Sequence, residues 1–290
     1  MKVLNYGSLN LDYVYHVNHM VENGETILST SMEVNNGGKG LNQSIALAKA
    51  GVEVYHAGAI GRDGKQLLEV LRLQNVDTRY VKCTTDRTGH AIIQVDESGN
   101  NSIILFGGAN QSIDLEDVKD VLADFLADDY LLLQNEINGL STIIDLAYDK
   151  GMKVVLNPSP CNNNIFACDL NKVTYLLLNE VEGRQLTQKE EPMDILDALI
   201  RQYPNLKIVL TLGSEGSMYK DSSCVLKQAC VPCDVVDTTA AGDTFTGYFM
   251  ASILENKSIE EALNIASKAS SIACSRKGAS DSIPKMNEVD

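Results

Sequence analysis

The chain has 290 residues, of which 44% are apolar, and it carries a formal net charge of −15. This length and composition suffice for one large core, while the acidic balance argues against nucleic acid as the main partner. No apolar run approaches the roughly 20 residues of a membrane-spanning helix. Residues 1–3 lead into a predicted strand rather than a signal peptide. We therefore expect a cytoplasmic protein with no membrane partner.

The first predicted strand, residues 3–9, is followed by Asn10 and Asp12. Open α/β sheets bind ligands just beyond the carboxyl ends of their core strands. A carboxylate near an amide could hold the hydroxyl groups of a small polyol, because the pair offers both acceptors and donors. A solvated turn is the alternative explanation of the same residues.

Two segments, 13–34 and 90–106, show the alternating pattern of paired strands around polar loops. No crossover helix separates the strands within either segment, so the pattern predicts a small antiparallel layer beside the main sheet. A layer that projects over a ligand site would act as a lid. In phosphoryl transfer, a lid keeps water away from the reacting groups.

A glycine-rich stretch at residues 35–44 reads Asn-Asn-Gly-Gly-Lys-Gly-Leu-Asn-Gln-Ser and runs into a helix predicted at 45–50. Its glycines allow the backbone to press against a ligand, and Lys39 and Asn42 can reach anionic or hydroxyl groups. The stretch is not a Walker A loop, because the required G-x-x-x-x-G-K-[ST] is absent. A G-x-G-x-x-G fingerprint is also absent, which argues against a nicotinamide-dependent dehydrogenase.

From residue 52 onward, strands and helices alternate, which predicts a mostly parallel sheet with helices on both faces. We predict strands at 54–60, 131–134, 154–156, 175–178 and 208–212, and helices at 66–73, 115–125, 142–150, 195–203 and 260–275. Polar residues and a glycine follow the later strands at one edge of the sheet: Glu136, Asn157, Asn179, Thr211 and Gly213.

The sequence Asn-Glu-Val-Glu at residues 179–182 opens a further predicted helix. This placement brings Glu182 to the edge of the sheet where a phosphate would bind, and a carboxylate there could organise Mg²⁺ through water. An acidic first turn of a surface helix is the alternative explanation.

Residues 235–247 read Val-Val-Asp-Thr-Thr-Ala-Ala-Gly-Asp-Thr-Phe-Thr-Gly and lead into a helix predicted at 244–254. The small residues Ala240, Ala241 and Gly242 let the backbone approach a ligand. The free N–H groups and the dipole of the helix N-terminus would attract an anion. An acid beside such a cradle, Asp243, suggests phosphoryl transfer in which the carboxylate accepts a hydroxyl proton. The simpler alternative is that Asp243 caps the helix.

Seven cysteines are scattered along the chain, and Cys230 and Cys233 form a C-x-x-C pair. No second pair follows at zinc spacing, so idle thiols in a reducing compartment explain these residues best. A redox or metal role for the pair is the alternative.

Three of these stretches together resemble the PfkB, or ribokinase, family of carbohydrate kinases. Residues 37–44, followed by Gly51 and Gly61, resemble the first family signature, and residues 237–243 resemble the second. The Asn179-x-x-Glu182 spacing is similar to the family's N-x-x-E motif. The resemblance runs from residues 7–12 to residues 276–279. It implies a three-layer αβα sandwich with a mostly parallel central sheet, forming a single domain over residues 1–290 with a small β-sheet lid.

Within that family the sequence is most similar to the kinases of ribose. The resemblance implies that the primary hydroxyl of the sugar is phosphorylated by MgATP, with Asp243 as the general base and residues 240–242 as the anion hole. It implies that the sugar is held by Asn10, Asp12, Gly38, Lys39, Asn42 and Glu136. It implies a nucleotide site formed by Asn179, Thr211, Gly213 and Gly242.

Two metal ions are also implied by the resemblance. Glu182 would serve Mg²⁺ through water, and a K⁺ ion beside the anion hole would be held by Asp237, Thr239, Ala273, Arg276, Gly278 and Ser282. The exposed edges of the lid strands predict a homodimer formed through the lids. The alternative is a PfkB-family kinase that phosphorylates another sugar, such as deoxyribose or fructose, or a nucleoside. A non-catalytic sugar sensor is the less favoured alternative.

Overall fold

The middle layer of the molecule is a nine-stranded sheet, seen in a computed structural model that describes residues 1–289. Residue 290, the last of the predicted domain, lies outside the described residues. Numbered in chain order, the strands of this sheet are β1 (Val3–Tyr6), β4 (Val54–Ile60), β5 (Asp77–Cys83), β8 (Tyr130–Gln134), β9 (Lys153–Asn157), β10 (Tyr175–Asn179), β11 (Lys207–Thr211), β12 (Ser217–Lys220) and β13 (Val225–Gln228). Their order across the sheet is β13-β12-β11-β10-β9-β8-β1-β4-β5. Eight of them run in the same direction, and only β12 is reversed, pairing antiparallel with β11 and with β13, which confirms the predicted α/β class.

Helices cover both faces of the sheet, because its central strands are apolar on both sides. The helices are α1 (Lys39–Lys49), α2 (Lys65–Leu73), α3 (Leu115–Ala123), α4 (Leu140–Asp149), α5 (Asn163–Phe166), α6 (Glu180–Thr187), α7 (Pro192–Gln202), α8 (Ala241–Leu254) and α9 (Ile259–Cys274). Neighbouring residues of β1 point to opposite faces: Leu4 packs in a core with residues of α3, α4 and α7, whereas Val3 packs in a second core with residues of α1, α2, α8 and α9. Two cores on either side of one sheet make a three-layer sandwich.

A second sheet of four strands forms the predicted lid. Its strands are β2 (Asn10–His16), β3 (Ser31–Gly37), β6 (Gly89–Val95) and β7 (Asn101–Phe106), in the order β3-β2-β6-β7. The prediction of an antiparallel layer is wrong for its middle, because β2 and β6 are parallel. Both of these strands run outward from the body, and β3 and β7 return to it, so only the two outer pairs are antiparallel.

Several predicted boundaries differ from the structure at the glycine-rich and small-residue stretches. The first strand ends at Tyr6 rather than at residue 9, so Asn10 and Asp12 lie in β2 of the lid and not in a loop. The second strand of the first lid segment, which was predicted to end at residue 34, covers residues 31–37. Helix α1 begins at Lys39 instead of 45, and α8 begins at Ala241 instead of 244. Glycine and small residues favour loops locally, but tertiary packing overrides that preference here.

The sequence analysis did not predict three of the strands: β5, β12 and β13. They lie at the two outer parts of the main sheet and carry charged residues that interrupt the apolar pattern. Strands that are covered on fewer sides do not need a continuous apolar run. None of the helices within residues 1–289 is long and apolar enough to cross a membrane.

Candidate active site

Asp243 lies where helices α1 and α8 meet, and both of its carboxylate oxygens are held by α1. Asn42 Nδ2 donates to Asp243 Oδ2 at 3.0 Å, and Gln43 Nε2 donates to Oδ1 at 2.9 Å. The two helices approach closely at Gly247, where a Cβ would come within 2.9 Å of the Ala46 backbone carbon. The carboxylate is 7% exposed. Asp243 therefore binds the side chains of a neighbouring helix and does not act as a cap for its own.

The first turn of α8 has the properties of an anion cradle. Ala240 adopts a left-handed conformation with φ +58° and makes no side-chain cap to the helix. The hydrogen bonds of the described residues leave the N–H groups of Gly242 and Asp243 without an acceptor. A Cβ added to Gly242 would meet no atom within 4 Å. The backbone here presents free donors to open space at the positive end of a helix dipole.

A cavity of about 230 Å³ lies in front of this cradle. It brings together the predicted cradle residues and residues from the ends of several parallel strands: Lys39, Asn157, Asn179, Glu182, Thr211, Ala240, Ala241, Gly242 and Asp243. A larger cavity of about 550 Å³ shares Thr211, Ala241 and Gly242 with it and is also lined by Gly213. The structure thus places the predicted nucleotide residues around two adjoining cavities that meet at the cradle.

Glu182 and Asn179 form a capping box at the start of α6. Glu182 Oε2 accepts from the Asn179 backbone N–H at 3.0 Å, and Asn179 Oδ1 accepts from the Glu182 N–H at 2.9 Å. Glu182 is 5% exposed and lines the smaller cavity. One carboxylate oxygen is therefore committed to the helix, and the other has no hydrogen-bond partner among the described residues.

Lys39 lines the smaller cavity, and Glu136, another predicted sugar ligand, is bonded to its backbone. Glu136 Oε2 accepts from the Lys39 backbone N–H at 2.9 Å and from the Ser8 hydroxyl. Burial raises the pKa of Glu136, partly offset by Lys39. Burial alone would lower the pKa of the Lys39 ammonium, but the carboxylates of Asp243, Glu136 and Glu182 outweigh it and raise that pKa. The Lys39 ammonium group is therefore stabilised by three nearby carboxylates.

Asn10 and Asp12, both predicted as sugar ligands, lie on the lid strand β2 and line neither of the two cavities. Asn10 Oδ1 accepts from Asn110 Nδ2 at 2.7 Å, and the Asp12 carboxyl packs so closely on Gly37 that a Cβ there would clash with it. Burial and the charge of Glu136 raise the pKa of Asp12 from 3.8 to about 6. Gly38 has φ +96° and lies against the backbone of Ser8, which a side chain at position 38 would crowd.

The loops that carry the predicted K⁺ ligands are bonded to each other. The Asp237 backbone N–H donates to the Cys274 carbonyl at 3.1 Å, and the Gly278 N–H donates to Asp237 Oδ2 at 3.0 Å. Burial opposes ionisation of Asp237, but hydrogen bonds from Thr239 and Gly278 keep its pKa below the ordinary value. The Ser282 hydroxyl donates to the Ala279 carbonyl at 2.7 Å, and the Ala273 carbonyl accepts from the Arg276 N–H at 3.1 Å.

The cysteine pair lies beside the larger cavity. Cys230 and Cys233 are exposed and form no disulfide. Across residues 1–289, no group of three or more His, Cys, Asp or Glu side chains is arranged to hold a metal ion. The C-x-x-C pair is therefore not part of a metal site of that kind.

Ser8, Gln43 and Asn110 bond to the side chains of predicted site residues but were not themselves predicted as part of the site. Gln43 follows Asn42 in the glycine-rich stretch, and this position next to a predicted ligand was the only feature of the sequence that could have indicated its role. Asn110 lies 100 residues from Asn10 in sequence, so only the fold reveals the contact. The same holds for Ser8 and Glu136.

Comparisons with known proteins agree with this geometry. Residues 1–286 match the model of the pfkB family carbohydrate kinase. The chain is 35% identical over 295 residues to a ribokinase of Haemophilus influenzae, covering 98% of this chain and 95% of that protein. It superposes on a ribokinase of Cryptococcus neoformans in complex with ADP with a TM-score of 0.88 and 32% identity, covering 99% and 98% of the two chains. It superposes on an Arabidopsis thaliana ribokinase complexed with ribose and ATP with a TM-score of 0.87 and 31% identity, covering 99% and 97%. The chain belongs to the PfkB family of carbohydrate kinases.

Proposed function

We propose that this enzyme transfers the γ-phosphoryl group of ATP to O5 of D-ribose, giving ribose 5-phosphate and ADP. The observation that carries the proposal is the position of Asp243, a buried carboxylate at the edge of a cradle of free backbone N–H groups. The whole-length similarity to ribokinases, one of them complexed with ribose and ATP, supports ribose as the acceptor.

In this mechanism Asp243 takes the proton of the O5 hydroxyl as the oxygen attacks the γ-phosphorus in line with the leaving ADP. The N–H groups of Gly242 and Asp243 donate to the phosphoryl oxygens, where charge builds up in the transition state. Lys39 adds positive charge on the sugar side. The lid strand β2 brings Asn10 and Asp12 to the sugar, which fixes the hydroxyl near the base.

Mg²⁺ fits the donor set at Glu182. Its free oxygen faces the cavity, and the described residues offer no cluster of protein ligands, so the ion would be held through water and phosphate oxygens, as Mg²⁺ prefers. When bound, the ion neutralises charge on the transferred phosphate.

The K⁺ site is proposed at Asp237, Thr239, Ala273, Arg276, Gly278 and Ser282. Asp237 supplies an ionised carboxylate and the other residues supply oxygen atoms of two loops that are bonded together. We expect turnover to rise when K⁺ replaces choline at equal ionic strength, and Asp237→Ala to lose that activation. Equal rates with and without K⁺ in the wild type would contradict the site.

Ribose binding should strengthen as the pH rises through about 6, the pKa of Asp12. The ionised carboxylate offers both of its oxygens as acceptors to sugar hydroxyls, whereas protonation turns one of them into a donor. The pKa of Asp12 lies above the ordinary value because of burial and the charge of Glu136. We expect the ribose Kd from calorimetry to fall between pH 5 and pH 7. Asp12→Asn should weaken binding by roughly 10- to 100-fold and remove the pH dependence. A Kd that is constant across this range in the wild type would contradict the assignment.

We also propose a homodimer formed through the lids. On the lid face that carries Asp12, the paired strands present apolar side chains, among them Ile103 and Leu105, which are 56% and 49% exposed. Light scattering should give twice the chain mass of 31.6 kDa. Ile103→Arg should give a monomer, while Leu126→Arg, at an exposed position three residues beyond the end of α3, should leave the dimer intact. A wild type that stays monomeric across concentrations would contradict this proposal.

The identity of the product tests the transfer itself. Phosphorus NMR of the reaction with ribose should show a phosphate monoester coupled to the two hydrogens of C5. A product esterified at O1, or ATP hydrolysis without a sugar phosphate, would contradict transfer to O5. If only another sugar or a nucleoside is phosphorylated, the family and the role of Asp243 as the base would stand, but the assignment of ribose as the substrate would be wrong. Tight sugar binding without turnover would favour a sensor.

A further inference from the structure

Gln43 takes no part in the reaction described above, yet it is bonded directly to the proposed base. Its side chain is fully buried. Nε2 donates to Asp243 Oδ1 at 2.9 Å and to Asn157 Oδ1 at 3.1 Å, while Oε1 accepts from Gln134 Nε2 at 2.6 Å. Every polar atom of the Gln43 amide therefore has a partner.

A buried relay of amides fixes which way the Gln43 amide points. Gln134 Nε2 also donates to Asn5 Oδ1 at 3.0 Å, and Asn5 Nδ2 donates to the Ser44 hydroxyl at 2.8 Å. Asn5, Ser44 and Gln134 are fully buried like Gln43. If the Gln43 amide turned over, its oxygen would face Asp243 Oδ1 and its N–H groups would face Gln134 Nε2. Both contacts would be repulsive, and buried polar groups without partners are costly.

The two residues that donate hydrogen bonds to Asp243, Asn42 and Gln43, differ in whether a bound ligand can reach them. Asn42 donates to Oδ2 and is a proposed sugar ligand, so a bound hydroxyl competes for that bond. Gln43 is fully buried and does not line the cavity in front of the cradle, whereas Asp243 does. The bond from Gln43 to Oδ1 can therefore persist when the site is occupied.

We propose that Gln43 is a positioning residue that holds Oδ1 of Asp243 and leaves Oδ2 as the atom that accepts the sugar proton. The inference rests on the proposed function, in which Asp243 is the base. Fixing one oxygen sets the plane of the carboxylate relative to the cradle, so that the other oxygen is oriented for the sugar hydroxyl. The relay through Gln134 and Asn5 keeps Gln43 in the donating orientation.

Gln43→Met tests the proposal, because it keeps the length of the side chain and removes the donor. We expect kcat with ribose to fall by roughly 10- to 100-fold, while the KM values for ribose and ATP change by less than about twofold. Gln43→Leu also removes the donor, with an apolar side chain of similar size, and we expect the same loss of kcat.

Ser44→Ala is the matched control. Ser44 is buried on the same helix and in the same network, but it does not contact Asp243. This variant should lose thermal stability and keep the kcat and the KM values of the wild type.

An active wild type together with normal kcat in a folded Gln43→Met would overturn the inference and leave the proposed function intact. If Gln43→Met does not fold, normal kcat in Gln43→Leu would overturn it equally. A Ser44→Ala enzyme with the same kcat loss would assign the effect to the packing of the network instead. A wild type that turns over no sugar would contradict the proposed function first, and the inference with it.

Discussion

Replacing Asp243 with Asn should lower kcat for ribose by about 10³-fold, within the range that a general base contributes. The amide has nearly the same shape but cannot take the hydroxyl proton. It also presents an N–H group to one of the two donors that hold the carboxylate, Asn42 and Gln43. Because the change leaves the cavity open, ribose binding measured by calorimetry should stay within about tenfold of the wild type.

The control for this variant is Asp114→Asn, which changes an aspartate that caps α3 and does not line either cavity beside the cradle. It should keep full activity. If Asp243→Asn retained near-normal turnover, Asp243 would not be the base. If it lost ribose binding as completely as turnover, the residue would be a sugar ligand rather than a proton acceptor.

Replacing Gly242 with Val should lower kcat/KM for ATP by at least about 100-fold while the protein stays folded. Gly242 has no positive φ, and a Cβ there would meet no atom of the protein within 4 Å. The fold itself does not require glycine at this position, and valine has the higher intrinsic helix propensity. The open space in front of Gly242 is the place proposed for the transferred phosphoryl group, which branched methyl groups would fill.

Thermal unfolding separates the two effects of Gly242→Val. We expect a melting temperature equal to or above that of the wild type, with nucleotide affinity lost. Glu260→Val, at the equivalent position of the first turn of α9, should leave activity unchanged. Normal ATP kinetics in folded Gly242→Val would contradict the cradle, and a fall in melting temperature matching the loss of activity would assign the effect to folding.

The layers of the fold could be predicted from the sequence because each buried strand is a short apolar run. Residues 54–60 were predicted as a strand and form β4 without a shift. The edge strand β5 was missed, because charged residues occupy both sets of alternating positions in its sequence: Asp77 and Arg79 in one set, and Lys82 in the other. The parallel pairing of β2 with β6 depends on contacts between segments that are far apart in sequence, which a local pattern does not contain.

The site could be predicted where a single stretch of sequence contains both the reactive side chain and the residues that shape the backbone around it. Residues 240–243 carry small residues and an acid at a helix start, and the structure places them together around the cavity. The partners of Asp243 on α1 were only half anticipated: Asn42 was predicted as a sugar ligand, and Gln43 was not predicted at all. Glutamine beside a predicted ligand has no local signature of its role, because the role depends on where α8 packs.

An assay of ADP release with MgATP over a panel of sugars tests the central claim most directly. The panel is ribose, deoxyribose, fructose, tagatose and several nucleosides, each with K⁺ or with choline. We predict turnover that depends on ribose and rises with K⁺, and little turnover with the other acceptors. Turnover with a different acceptor and none with ribose would contradict the assignment of ribose as the substrate. No turnover with any member of the panel would contradict a sugar kinase of this specificity.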